Sequence, residues 1–191
     1  MGVSRGSAQT APLVDLCHHR WAVPLLAEMG RTGGGRFAVL VRRLEVPEES
    51  LRRTLAAALD RGYVVRNPGH GHPLRPDYLL TPLGAAMAPA CGRLFAALTD
   101  LDAVGPGLRK WSMPVVHVLD SQERAFGELR DRLPAVTPRA LSLALGTLHE
   151  QGLVKHEATR YRLATRARPL PPPLRELAHA AASAAPAPRL P

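Results

Sequence analysis

Apolar residues recur at helical spacing through most of the chain and give way at intervals to short strand-like runs. Trp21, Leu25 and Met29 fall on one helical face. Pro24 sits in the first turn, where a missing N–H is tolerated. Residues 31–35 hold three glycines and predict a turn. Phe37, Leu40, Val41 and Leu44 form a second helical face. Leu51, Leu55 and Leu59 form a third, preceded by Pro47, Glu48 and Glu49, whose carboxylates suit the positive end of a helix. Gly62 ends that helix. Tyr63 to Arg66 predicts a short strand, and Tyr78 to Thr81 a returning one. Between them lies a loop with Pro68, Gly69, Gly71, Pro73 and Pro76. Pro82, Leu83 and Gly84 open a closing helix that runs to Leu98.

The pattern then returns. Trp21-Ala22-Val23-Pro24 is echoed by Trp111-Ser112-Met113-Pro114. Phe37 and Leu40 match Phe126 and Leu129, and Leu44 matches Leu133. Leu51 and Leu55 match Leu141 and Leu145, and Gly62-Tyr63-Val64 matches Gly152-Leu153-Val154. The offset is 90 or 89 residues up to that point and falls to 83 where Tyr78-Leu79-Leu80 meets Tyr161-Arg162-Leu163. The second copy is therefore shorter between its two ribbon strands. A repeat of this length predicts two domains. The expected division is a loose segment over residues 1–11, a first domain over 12–104, a second over 105–182 and a disordered tail over 183–191. The break near residues 100–107 is marked by Asp100, Asp102, Gly105, Pro106 and Gly107.

Composition narrows the function. Of 191 residues, 46% are apolar and 21% charged, which fits a folded chain with a real core. No stretch approaches the roughly 20 apolar residues of a membrane span. Residues 1–10 lack an apolar segment, so no signal peptide is expected and the cytoplasm is the default location. Two cysteines, Cys17 and Cys91, cannot build a disulfide framework or a four-thiolate zinc site. Aromatics at 4% argue against a single-strand binder built on stacked bases. The net charge is +9, carried by 25 basic against 16 acidic residues. Such an excess favours a polyanionic partner.

Three helices, a two-stranded ribbon and a closing helix make a winged helix-turn-helix. The fold class expected is mainly α with small β-ribbons (α+β), as two tandem winged helix-turn-helix domains. The residues also resemble the HxlR-type winged-helix transcriptional regulators. The resemblance runs over about residues 14–98 through Cys17, Trp21, Arg36-Phe37, Leu40, Val46, Gly62-Tyr63-Val64 and Arg66. The wing prolines and Tyr78, Leu80, Thr81, Pro82, Leu83 and Gly84 complete it. The second copy keeps Arg109-Lys110-Trp111, Phe126, Leu129, Val136-Thr137 and Tyr161. It lacks the cysteine and has a short wing. The resemblance implies a double-stranded DNA-binding transcriptional regulator, with the family's homodimer fused into an intrachain pseudo-dimer. It acts as a monomer carrying both halves, or pairs again as a homodimer.

In a helix-turn-helix the second helix enters the major groove. With Leu51, Leu55 and Leu59 inward, Glu48, Glu49, Arg52, Arg53 and Ala56 face out. Arg52 and Arg53 are the candidates for reading guanine, with Glu49 beside them. The second copy offers Arg139, Ser142, Leu143 and Gly146 at the matching positions, so only Arg139 is a strong donor. Wing candidates for phosphate or minor-groove contact are Arg66, His70, His72 and Arg75 in the first copy and Arg160, expected at the tip, in the second. The residues up to 104 carry +3 and those from 105 carry +6. The half with the poorer recognition helix is the more basic one.

By the same resemblance, Cys17 stands where some relatives hold a redox- or electrophile-sensing cysteine. His18, His19 and Arg20 beside it would favour the thiolate. Trp21 and Trp111 are expected to anchor matching helices and to border an effector site. No metal site, cofactor or catalytic triad stands out, so neither a cofactor nor an enzyme is expected. The N-terminal segment and the two closing helices are expected to form the seam between copies, where a small effector would fit. The other reading is a scaffold that has lost DNA binding and holds, or acts on, a small molecule at that inter-copy cleft.

Overall fold

The computed structural model describes residues 5–67, 77–133 and 135–183, with side chains from residue 10 onward. The chain opens with α1 (Arg5–Cys17) and α2 (Ala22–Thr32). Gly33, with φ of 77°, caps α2 in the left-handed conformation and donates its N–H to Met29 O. A two-residue strand, β1 (Gly35–Arg36), leads into α3 (Phe37–Leu44). Glu45 makes the sharp turn at φ of 51°, and α4 (Glu48–Asp60) follows as the second helix of the motif. The ribbon is β2 (Val64–Arg66) and β3 (Asp77–Leu80), and α5 (Pro82–Asp100) closes the unit. Thr81 caps α5 by accepting from Gly84 N at 3.0 Å.

After the short α6 (Val104–Gly107), the second copy repeats the plan. Its elements are α7 (Ser112–Leu119), β4 (Arg124–Ala125), α8 (Phe126–Arg132), α9 (Pro138–Glu150), β5 (Val154–Glu157), β6 (Arg160–Leu163) and α10 (Pro171–Ser183). Ala135, at φ of 61°, makes the turn that Glu45 makes in the first copy.

The two antiparallel sheets share an order, β1-β3-β2 and β4-β6-β5. Val64 pairs with Leu80 and Val154 with Leu163, while Gly35 pairs with Tyr78 and Arg124 with Tyr161. The sequence offsets of 90, 89 and 83 residues thus recur as hydrogen-bond register. The expected tandem winged helix-turn-helix is the fold observed. Each unit has a third strand beyond the expected ribbon. A Gly-Arg or Arg-Ala pair has no periodicity to betray it, and β1 and β4 exist only because β3 and β6 are there to pair with.

One hydrophobic core runs through both copies, from Leu25, Leu26 and Met29 in the first to Met113, Leu129 and Leu148 in the second. The seam is built as expected: α5 packs on α10, and α1 lies against α10, α7 and α8. The first helix of the chain is therefore docked mainly on the second copy. It begins at Arg5, within the segment whose Gly and Ser content suggests a loose start. Burial of Leu13 and Leu16 at 1% exposure supplies the reason. In the first copy, α2 crosses α5 so closely that a Cβ at Gly30 would sit 2.6 Å from Ala88 Cβ. Residues 184–191 of the expected tail lie outside the described residues.

Candidate nucleic-acid interface

The outward face of α4 carries Glu48, Glu49, Arg52 and Arg53, each more than 60% exposed at its side chain. They point outward because Leu51, Thr54, Leu55 and Ala58 take the inner face. Arg53 Nε lies 2.8 Å from Glu49 Oε1, and Arg52 Nε 3.6 Å from Glu49 Oε2. The Arg52 guanidinium also lies 5.1 Å from the Phe37 ring centroid, over the ring. Ion pairs this exposed hold about 0–1 kcal/mol each, so the arginines are free to exchange Glu49 for a phosphate or a guanine edge. Phe37 gives Arg52 a fixed platform without consuming its hydrogen-bond donors.

Beside the start of α4 lies a notch of about 390 Å³. His18, His19, Arg20 and Trp21 form one wall, with Ser50, Arg53 and Thr54 opposite. Arg20 lies 5.1 Å from the Trp21 ring centroid. Burial, with the positive charges of Arg61 and His18, holds His19 below the ordinary imidazole range, so it is neutral at neutral pH. Arg20 and Arg53 bring permanent positive charge to the notch. Local sequence presents His18, His19 and Arg20 only as neighbours of Cys17. The signal for another role is the repeat itself, since Arg109-Lys110 precedes Trp111 just as His19-Arg20 precedes Trp21. Lys110 Nζ is 5.0 Å from the Trp111 ring centroid, the same arrangement in the second copy. Trp21 and Trp111 are half-buried against the core.

The second copy presents a different face. Arg139 and Ser142 are exposed on α9, and Arg139 has no ion-pair partner among the described residues. Leu143 stands in the place of Arg53 and is 65% exposed. Arg109 is turned onto the back of α9, donating from Nη1 to Thr147 Oγ1 at 3.0 Å. In the first copy's wing, Arg66 is exposed on β2, while His70, His72 and Arg75 lie outside the described residues.

Two expectations need correction. Arg160 is not at the wing tip. The tip is the two-residue turn of Ala158 and Thr159, with Ala158 at φ of 52°, and Arg160 is the first residue of β6. Its guanidinium lies 3.1 Å from Glu123 and 3.2 Å from Glu128, which neutralise it. Cys17 is no thiolate either. It faces the core at 7% exposure while His18 and Arg20 face solvent, and burial pushes its thiol up to about 12. Adjacent residues on this bend look in opposite directions, so adjacency in sequence does not bring the cations near the sulfur.

No helix among the described residues is long and apolar enough to cross a membrane. No curated protein and no solved structure matches the chain. One family model does, the HxlR-like helix-turn-helix, over residues 16–100 and again over 108–186. Each match spans one of the two copies defined by the sheet registers, and together they cover most of the chain. The chain therefore belongs to the HxlR-like helix-turn-helix family, with two of its domains carried in tandem on one polypeptide.

Proposed function

We propose that this protein is a sequence-specific double-stranded DNA-binding transcriptional regulator that acts as a pseudo-dimer within one chain. Its first copy reads bases through α4. Its second copy anchors the complex on phosphates with its larger positive charge. The observation that carries this reading is the outward face of α4, where Arg52 and Arg53 stand exposed on the second helix of the motif beside a basic notch. The contrast with α9, where Ser142 and Leu143 hold the matching places, supports unequal roles for the two halves. A homodimer with exact two-fold symmetry cannot differ in this way. A small effector bound at the seam between copies would adjust the relation of the two recognition helices.

The test is fluorescence anisotropy on duplex DNA from upstream of the protein's own gene, against scrambled duplex, over a salt series. The upstream DNA binds more tightly, and log affinity falls with log salt at about 0.9 per phosphate contact. The double substitution Arg52→Ala with Arg53→Ala weakens specific binding by about 1–3 kcal/mol for each base no longer read, and leaves scrambled DNA much less affected. Equal, weak binding to both duplexes that vanishes with salt would contradict the proposal.

A further inference from the structure

A cleft of about 910 Å³ opens at the seam between the copies. It is walled by α1, the end of α4, β2, the start of α5 and the end of α10. Asp15 and Arg61 meet there in a bidentate pair, with Arg61 Nε donating to Asp15 Oδ2 and Nη2 to Oδ1, both at 3.0 Å. That engages two of the five N–H donors of the guanidinium. The other three have no partner among the described residues. Tyr63 lines the same cleft, and its hydroxyl likewise has no hydrogen-bond partner among the described residues. Burial pushes the Tyr63 phenol up, which keeps it a donor. The remaining wall is mainly apolar, with Val65 in it 42% exposed, and the hydroxyls of Thr81 and Ser183 there donate to the Gly62 and His179 carbonyls.

The fold does not require this arrangement. At the positions of Asp15, Arg61 and Tyr63 the second copy has Gly105, Gln151 and Leu153, and it keeps the same sheet register without them. Spare donors on a guanidinium fork, beside a phenol and an apolar wall, match a ligand that brings acceptors and an apolar body. We infer that this cleft binds a small organic anion, its carboxylate held by Arg61 and Tyr63 and its apolar body against Val65, Leu83 and Ala86. Arg61 is the C-terminal cap of α4, whereas α1 is docked on the second copy. An anion seated between them therefore shifts the recognition helix relative to the other half. This regulatory consequence rests on the DNA-binding reading; the binding site does not.

The experiment is isothermal titration calorimetry of the full chain, without DNA, using octanoate and 2-naphthoate as probes and methyl 2-naphthoate as the uncharged control. At least one carboxylate binds saturably. Arg61→Gln, which installs the residue of the second copy, weakens it by roughly tenfold or more, as loss of a charge-assisted pair should. Tyr63→Phe weakens it less, Ala86→Phe blocks it, and the ester shows no dependence on Arg61. Saturation by neither carboxylate overturns the inference, as does unchanged binding by an Arg61→Gln variant with native circular dichroism. A second arm measures anisotropy of the upstream duplex with and without saturating 2-naphthoate. A several-fold change in DNA affinity supports the regulatory consequence, and linkage requires the same change in anion affinity when DNA is bound. Unchanged DNA affinity overturns that consequence. Absence of specific DNA binding with calorimetry intact overturns the DNA-binding reading and leaves the anion site standing.

Discussion

At the end of α1 two neighbouring residues live in opposite environments. Cys17 is packed in the core, while His18 is exposed to solvent. A thiol held near 12 is almost wholly protonated at neutral pH, and the thiolate is the nucleophile. Iodoacetamide at mildly alkaline pH should therefore leave Cys17 unmodified in the folded protein and alkylate it within minutes in denaturant, as mass spectrometry can follow. The sign of the pH effect is equally definite. The folded thiol has the higher pKa, so its contribution to stability is complete below the unfolded value of about 8.5 and declines as pH rises beyond it. Thermal melts should show an alkaline decline that is smaller in Cys17→Ala. Rapid alkylation of the native protein would restore a sensing role. At the groove face, Leu143 holds the place of Arg53. Leu143→Arg should add one phosphate contact and steepen the log-log salt slope by about 0.9, read by anisotropy on nonspecific duplex.

Among the elements, α1 shows what sequence periodicity can and cannot reveal. The helices from α2 to α5, and their counterparts from α7 to α10, are legible because apolar residues at helical spacing, such as Leu51 and Leu55 and their echoes Leu141 and Leu145, mark the buried faces. The glycine stop at Gly62 is legible too, and its φ of 68° shows why glycine stands there. By contrast, α1 has Pro12 inside it and its start is rich in small polar residues. Its stability comes from the burial of Leu13 and Leu16 and from the packing of the helix on α10, α7 and α8, long-range contacts that no local pattern announces. The two-residue strands β1 and β4 are hidden for the same reason. The place of Arg160 depends on the length of the wing turn, which register alone decides. Of the candidate site, the α4 arginines are visible from helical spacing. The notch is not, because its two walls lie about thirty residues apart in the chain. Leu16→Ala should cost about 2–5 kcal/mol, measured as a lower urea midpoint. Because α1 belongs to the shared seam, the loss should appear in one transition, not in the first copy alone.

As a whole the molecule is two copies of one domain around a common core, joined through α1, α5 and α10. The copies agree wherever packing decides, as in the turns at Glu45 and Ala135 and the paired Trp21 and Trp111. They diverge where solvent or a ligand decides, on the faces of α4 and α9 and at the Asp15–Arg61 pair. Fusion allows that divergence, and under the proposed function the two halves of the operator need not match. Two recognition helices should lie about 10 base pairs apart along one face of the duplex. Guanine methylation interference on the bound upstream DNA tests this most directly, since N7 methylation blocks a bidentate arginine. We predict interference confined to one half-site, abolished in the Arg52→Ala, Arg53→Ala double variant, with the other half-site protected only along its backbone. Equal interference in both halves, or interference that survives the double substitution, would contradict an asymmetric pseudo-dimer that reads DNA through α4.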